Sequence, residues 1–226
     1  KDLIRKVAAS GKPTILVVVT GRPNSLVWED ENLPAILYAW EPGMLGGQAV
    51  AEILYGKVNP SGKLAITIPR TAGQIQMYYN HKPSHYRYKL QDIPNTPLYH
   101  FGYGLSYTTY EYSDLQLSKS EIAPNENIEV SVTVKNTGAR EGVEIAQLYI
   151  RDCISFITRP VKELKGFERV ALKAGESKRI TFTLTPEHLR YYNLDMERVV
   201  EPGTFKVMVG GSSRDKDLLT AEFKVK

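Results

Sequence analysis

The sequence has little of several features that would point to particular classes of protein. It contains one cysteine, Cys153, so no disulfide bond can form within the chain. No apolar run approaches the roughly 20 residues that a membrane-spanning helix needs. The formal net charge is only +4, with both signs spread along the chain, whereas nucleic-acid binding requires clustered Lys and Arg. We therefore expect neither a membrane nor a nucleic-acid partner.

Motifs for metals and cofactors are also missing. The histidines are scattered and, with one cysteine, give no zinc-type spacing; they are His81, His85, His100 and His188. Gly56–Lys63 departs from a phosphate-binding loop in its glycine spacing, and Leu64 stands where that loop needs Ser or Thr. Gly102-Tyr103-Gly104 lacks the third glycine of a dinucleotide motif and is typical of a tight turn. We predict no metal and no cofactor.

What the sequence does contain is enough apolar residues for two ordinary domains. The chain has 226 residues, of which 42% are hydrophobic and 24% charged. The first part alternates helix-like and strand-like segments, as the last part of an open α/β sheet would. Helices are predicted at Lys1–Ser10 and Met44–Tyr55, and strands at Thr14–Thr20, Ala35–Tyr38 and Leu64–Ile68. The β-branched run Thr14–Thr20 is typical of a strand buried on both faces. No N-cap residue precedes the first helix, so we expect the chain to be a piece of a longer protein.

The second part predicts only short strands. Alternation is clearest in Ile128–Lys135, and turn residues separate the segments. Thr185-Pro186-Glu187 predicts one helical turn. Seven strands in this length indicate an immunoglobulin- or fibronectin-type sandwich. They are predicted at Tyr112–Leu117, Ile128–Lys135, Val143–Ile150, Lys162–Val170, Ser177–Leu184, Gly203–Val209 and Leu218–Val225.

The connection between these parts is rich in tyrosine. Nine of the 14 tyrosines lie between Tyr78 and Tyr112, and the run Pro97–Thr109 marks the change of pattern. Tyrosines can stack on sugars or fill a domain junction, and we favour the junction. The predicted fold is therefore multi-domain: the end of an α/β (αβα) sandwich with its connecting segment in residues 1–105, then an all-β fibronectin type III-like sandwich in residues 106–226.

A candidate binding site lies at the carboxyl end of the second predicted strand. Trp40 and Glu41 follow that strand, and Arg22 follows the first one. Ligands of open α/β sheets bind along this edge, so a sugar could stack on Trp40 and bond to Glu41. The alternative is that Trp40 packs under a loop and Glu41 faces solvent. The acidic run Glu29-Asp30-Glu31 is read as a solvated surface.

Six segments, in order, resemble glycoside hydrolase family 3, the β-glucosidase and β-xylosidase group. In the first part they are Ala39-Trp40-Glu41-Pro42-Gly43 with Gly46-Gly47, the run 56–64 (GKVNPSGKL), the run 78–83 (YYNHKP) and the run 101–108 (FGYGLSYT). In the sandwich they are the run 159–167 (RPVKELKGF) and Val200-Glu201-Pro202-Gly203. The resemblance covers nearly the whole chain.

The resemblance implies the C-terminal portion of an exo-acting retaining β-glycosidase. Members combine a (β/α)8 barrel, an α/β sandwich and a fibronectin type III-like domain. Their nucleophilic Asp and acid/base Glu lie upstream of the region that matches Lys1, so no catalytic residue is expected in this chain. Glu41 is given no catalytic role. The expected partners are an oligosaccharide or β-glycoside substrate and the N-terminal barrel domain, in a periplasmic or secreted enzyme.

A different reading is a stand-alone, non-catalytic module. In that case the chain would bind carbohydrate or protein by itself through its sandwich. Titration with glucose and xylo-oligosaccharides discriminates between the two readings, because saturable binding by the chain alone favours the module.

Overall fold

The computed structural model describes residues 1–74, 77–83 and 93–226, which form two compact units. The first unit comprises residues 1–58, 67–74, 77 and 93–99, and the second comprises 59–66, 78–83 and 100–226. His85, Tyr86 and Tyr88 lie outside the described residues. The helices are α1 Asp2–Ala8, α2 Val27–Asn32, α3 Gly46–Leu54 and α4 Pro186–Leu189. The strands are β1 Ile15–Val19, β2 Ala35–Trp40, β3 Tyr110–Leu117, β4 Glu121–Ile122, β5 Ile128–Asn136, β6 Gly142–Asp152, β7 Glu163–Leu172, β8 Ser177–Leu184, β9 Tyr191–Tyr192, β10 Arg198–Val199, β11 Gly203–Gly210 and β12 Leu219–Val225.

The first unit is built on the parallel pair β1 and β2. Both strands and the helices α1 and α3 occur where the sequence predicts them. The expected burial of the first strand on both faces is not found: Val18 is buried, but Ile15 and Val19 are 47% and 65% exposed. Among the described residues β1 pairs only with β2, so its apolar side chains are covered incompletely.

The acidic run 29–31 is not a uniformly solvated surface, which corrects the prediction. It lies in α2, where successive residues point in directions about 100° apart. Glu29 is 1% exposed, and its Oε2 has no hydrogen-bond partner among the described residues. Asp30 is on the exposed side and accepts a hydrogen bond from the Tyr99 hydroxyl. Helix geometry thus separates like charges that are adjacent in the sequence.

The predicted strand Leu64–Ile68 does not form. Leu64 belongs to the second unit, where its N–H donates to Tyr103 O and its carbonyl accepts from Gly102 N–H. Ile68 belongs to the first unit and forms an isolated antiparallel bridge with Tyr99. The two ends of Leu64–Ile68 therefore each form a short backbone pairing with the run 97–109, and no continuous strand ladder forms between them.

The second unit is a β-sandwich. One sheet has the order β4-β12-β11-β6-β7, the other has the order β3-β5-β8, and β9 pairs with β10 in a small hairpin. All seven predicted strands are present. The pattern missed β4, β9 and β10, which are two residues long and too short to show a period. The predicted helical turn is α4, and Thr185 with His188 forms its capping box.

The core lies between the two larger sheets. Alternate residues of β5 point inward, as the sequence pattern predicts, and Val130, Val132 and Val134 are fully buried. They pack with apolar residues of the larger sheet, in which the rings of Phe205 and Phe223 stack 5.5 Å apart. This closed core gives the second unit its own source of stability.

A buried ion pair connects the run 56–64 to β6. Lys63 Nζ lies 3.0 Å from Glu144 Oε2 and donates to Gly104 O at 2.9 Å. Glu144 is 3% exposed, and its Oε1 accepts a hydrogen bond from the Tyr112 hydroxyl. Burial, followed by the neighbouring Glu144 charge, raises the pKa of Tyr112 well above its usual value.

Replacing Lys63 by Met is expected to destabilise the second unit by about 3 kcal/mol, because Glu144 would remain buried without a cation. Urea unfolding followed by circular dichroism measures this. The added change Glu144→Gln should recover most of the loss, since it removes the charge and keeps an acceptor for Tyr112. Lys119→Met breaks the exposed pair with Glu126 and should cost less than about 1 kcal/mol. Equal effects of the two lysine variants would contradict a special role for burial.

Candidate functional site

The carboxyl ends of β1 and β2 form one edge of the first unit. The N–H of Thr20, just after β1, donates to the carbonyl of Trp40 at 3.0 Å. Arg22 and Glu41, which follow the two strands, are both exposed. The structure therefore brings the three residues singled out by the sequence to one edge, as the parallel pairing requires.

Trp40 is held in an unusual backbone conformation. Its φ is +52°, in the left-handed region that non-glycine residues rarely adopt, and the β1–β2 register shifts beside it. Such strain costs roughly 1–3 kcal/mol and is concentrated at functional sites. The indole packs on Tyr38 with ring centroids 4.8 Å apart and tilted by 40°. Trp40 remains half-buried, so packing against Tyr38 leaves part of the ring available.

Tyr38 is itself fixed beneath Trp40. Its hydroxyl oxygen accepts a hydrogen bond from the N–H of Asn24 at 2.8 Å. Burial raises the pKa of Tyr38 and outweighs this hydrogen bond, which acts in the opposite direction. The hydrogen bond to Asn24 therefore fixes the Tyr38 ring, and Tyr38 in turn supports one face of the Trp40 indole.

Glu41 lies over Gly21. A Cβ atom at position 21 would meet Glu41 Oε1 at only 2.6 Å, so the glycine makes room for the carboxylate. Among the described residues, the Glu41 carboxylate has no hydrogen-bond or ion-pair partner. A solvated carboxylate beside an aromatic ring can accept hydrogen bonds from hydroxyl groups of a sugar.

Retaining glycoside hydrolysis needs two carboxyl groups about 5–5.5 Å apart. Glu41 is the acid that directly follows β2 at this edge. No group of three or more His, Cys, Asp or Glu within residues 1–74, 77–83 and 93–226 is placed to hold a metal. No helix in the part of the chain described is long and apolar enough to cross a membrane.

Part of the tyrosine-rich segment has a structural role inside the second unit. The ring of Tyr79 stacks on Phe101 at 4.2 Å and meets the edge of Tyr149 at 5.8 Å. Tyr149 is fully buried, and burial raises its pKa far above the usual value. Tyr79 is therefore fixed by its aromatic neighbours. The ring face that stacks on Phe101 is covered and cannot stack on a sugar.

Sequence reasoning missed a buried charged cluster at the end of β6. Asp152, Arg159 and Glu201 are 6%, 7% and 7% exposed. The only signal in the sequence was that Arg159 and Glu201 belong to two of the motifs, 159–167 and 200–203. The local pattern does not show that charged residues on separate segments are buried together.

Two protein-family models match the chain. The glycosyl hydrolase family 3 C-terminal domain matches residues 1–107, and the fibronectin type III-like domain matches residues 144–213. The two matches occur in the order and in the regions expected from the sequence motifs.

Individual relatives agree with these matches. The chain is 45% identical to a periplasmic β-glucosidase of Salmonella typhimurium over 94% of its length and 43% identical to a β-xylosidase of Formosa agariphila over all of it. It resembles the solved structures of a β-glucosidase from Erythrobacter marinus (TM-score 0.95, 43% identity, all of the chain) and of the Listeria innocua β-glucosidase in complex with glucose (0.91, 42%, 99% of the chain). The chain spans 29–32% of the length of these four proteins.

Proposed function

Because this chain belongs to glycoside hydrolase family 3, we propose that it is the C-terminal part of an exo-acting retaining β-glycosidase. The observation that supports this most strongly is the similarity over 94–100% of the chain, at 43–45% identity, to proteins named β-glucosidase and β-xylosidase. The complete enzyme would hydrolyse O-glycosyl bonds of oligosaccharides and release glucose or xylose. Its compartment would be the periplasm or the exterior of the cell, as in the Salmonella relative.

Both catalytic carboxyl groups would come from the remaining polypeptide, in a barrel domain and the first part of the α/β domain. Within this chain, residues 1–105 would complete the α/β domain and residues 106–226 would form the supporting sandwich. The aromatic contacts of Tyr79 and the Lys63–Glu144 pair fit a structural role for the second unit.

The test of the activity uses the complete polypeptide that contains this chain. We expect it to hydrolyse an aryl β-glucoside or β-xyloside, and proton NMR should detect the β-anomer of the sugar as the first product. An exo-acting enzyme should also shorten a labelled oligosaccharide by one sugar at a time from one end. First appearance of the α-anomer, or cleavage inside the oligosaccharide, would contradict the proposal.

The edge formed by Trp40 and Glu41 is proposed to contact substrate without taking part in the chemistry. Glu41→Gln in the complete enzyme is expected to raise KM about tenfold, since a hydrogen bond to a charged group is worth roughly 1.5 kcal/mol. The value of kcat should stay within about twofold, and steady-state kinetics separates the two constants.

Glu31→Gln is the matched control, because Glu31 is an exposed acid in α2 of the same unit. It should leave both constants unchanged. If Glu41→Gln behaves in the same way, Glu41 faces solvent only; if it instead abolishes kcat, it acts in the chemistry and this assignment is wrong.

A further inference from the structure

Two carboxyl groups lie side by side in the interior of the second unit. Asp152 ends β6 and Glu201 precedes β11. The residues are 6% and 7% exposed, and their carboxyls are close enough to interact directly. Asp152 Oδ1, Glu201 Oε1 and the hydroxyl of the neighbouring Ser155 are all shut off from solvent, and none of the three meets a partner at hydrogen-bonding geometry among the described residues. Two ionised carboxylates in this position would repel each other and leave buried acceptors unsatisfied.

Arg159 compensates only one of the two acids. Its Nη1 donates to Asp152 Oδ2 at 3.2 Å and to the carbonyl of Leu189 at 3.0 Å. Its Nη2 donates to Glu163 Oε2 at 2.9 Å. The guanidinium, whose side chain is 5% exposed, is therefore shared between two carboxylates and does not contact Glu201 by a hydrogen bond.

Glu201 is held by neutral donors. Its Oε2 accepts hydrogen bonds from the Tyr191 hydroxyl at 2.7 Å and from the N–H of Phe156 at 3.3 Å. The Phe156 bond joins Glu201 to the loop of residues 153–159, which we call the β6–β7 loop. Glu201 thus connects this loop to the segment before β11. Its hydrogen-bond donors are neutral, so they do not balance its negative charge.

The acids and bases paired within the cluster carry one excess negative charge. Glu163 is paired with Lys165 at 3.3 Å as well as with Arg159, so Asp152, Glu201 and Glu163 face two bases. Burial raises the pKa of the neighbouring Cys153 and lowers that of His188. The groups around the pair are, by element, Arg151 of β6, Cys153, Ser155 and Arg159 of the loop, Glu163 and Lys165 of β7, His188 of α4, Tyr191 of β9, Lys206 of β11 and Glu222 of β12.

We propose that Asp152 and Glu201 share one proton, which bridges their two unpartnered oxygens and holds the β6–β7 loop against the segment before β11. A proton fits between Asp152 and Glu201 because Oδ1 of the one and Oε1 of the other are closed to solvent. It removes the repulsion between the two carboxylates and turns one of the two unsatisfied acceptors into a donor to the other. The loop presents Ile154 and Phe156, which are 83% and 91% exposed. The proton therefore controls a loop that displays apolar side chains.

The direction of the pH effect follows from the environment of each acid. Burial raises the pKa of Asp152 to about 6; Arg159 lowers it, and Glu201 raises it further. Burial also acts to raise the pKa of Glu201, but the hydroxyls of Ser155 and Tyr191 and the Phe156 N–H more than offset it and leave that pKa lowered. Asp152 is therefore the member of the pair whose pKa is raised, because burial outweighs the charge of Arg159. Since the folded-state pKa exceeds the usual 3.8, this stabilisation is complete below about pH 4 and is lost as the pH rises through about 6.

Carbon-13 NMR of aspartate side chains in the chain tests the proposal directly. The Asp152 carboxyl signal, assigned by its loss in Asp152→Asn, should titrate with a midpoint near pH 6. A midpoint at or below the ordinary value for aspartate would overturn the shared proton. The titration should be the same with and without calcium; a calcium-dependent midpoint would assign the oxygens to a cation and would also overturn it.

Hydrogen exchange at the Phe156 amide measures the effect on the loop. Corrected for intrinsic exchange, protection should fall about tenfold between pH 5 and pH 7 in the unmodified chain. Asp152→Asn resembles the protonated acid and should retain protection at pH 7, and Glu201→Gln should also remove the pH dependence. Glu168→Gln, an exposed acid of β7, should keep it. Persistence of the pH dependence in both cluster variants would refute the proposal.

Discussion

The purified 226-residue chain is expected to release no detectable product from an aryl β-glucoside or β-xyloside, while its second unit remains folded. Retaining hydrolysis requires a nucleophilic carboxylate and an acid/base carboxyl on opposite sides of the glycosidic bond. Under the proposed function, both groups come from parts of the complete enzyme outside this chain. We therefore expect a loss of activity of at least several orders of magnitude relative to the complete enzyme.

Glu41 and the pair Asp152 and Glu201 are the acids to compare with this requirement. Glu41 is exposed and directly follows Trp40 in the chain. Asp152 and Glu201 are adjacent to each other but buried, with 6% and 7% exposure. A sugar cannot reach these two oxygens, so their proximity serves the fold and not hydrolysis.

Continuous colorimetric assays on the chain, with the complete enzyme as positive control, check this expectation. Circular dichroism must show at the same time that the β-sandwich is folded. Turnover by the chain that disappears in Glu41→Gln would contradict the proposal that the chemistry belongs to the rest of the complete enzyme. Saturable binding of glucose or xylo-oligosaccharides without turnover would favour the stand-alone binding module.

The sandwich could be predicted from the sequence because its strands have the period of two that one buried face imposes. In β5 the alternation from Ile128 to Val134 is visible in the sequence and is found in the structure. The strands β1 and β2 were predicted from a different signal, the continuous β-branched run Thr14–Thr20 and the shorter apolar run Ala35–Tyr38. Leu64–Ile68 alternates equally well but forms no strand, because its two ends pair in different units.

Part of the candidate site could also be predicted. The ends of parallel strands meet at one edge, so Arg22, Trp40 and Glu41 could be placed together from strand boundaries alone. Burial of charge could not be predicted, because it depends on contacts between distant segments. Glu29 and Asp152 are therefore found buried although nothing beside them in the sequence distinguishes them from surface acids.

Gly102, in the run 101–108, lies against Gln147 of β6. Its φ is +78°, and a Cβ atom there would meet Gln147 Oε1 at 2.0 Å. Gln147 cannot move aside easily, because its Nε2 donates to Gly102 O at 3.1 Å and to Gly211 O at 2.8 Å, while its Oε1 accepts from the Tyr149 hydroxyl. The position therefore excludes side chains both by backbone conformation and by space.

Gly102→Ala is expected to destabilise the second unit by about 4 kcal/mol. The left-handed conformation accounts for about 1 kcal/mol of this, and displacement of Gln147 from its buried hydrogen bonds accounts for the rest. Hydrogen exchange of the β6 amides measures the loss specifically. Tryptophan fluorescence should change little, because Trp28 and Trp40 both belong to the first unit.

Gly175→Ala separates the two causes. Gly175 has nearly the same φ, +75°, but an added Cβ would meet nothing within 4 Å, so only the backbone cost of about 1 kcal/mol should remain. In the double variant Gly102→Ala/Gln147→Ala the clash disappears, and the total loss should fall short of the sum of the single losses by more than about 1 kcal/mol. Equal costs for the two glycine variants would mean that the backbone alone selects glycine at position 102 and that the contact with Gln147 contributes nothing.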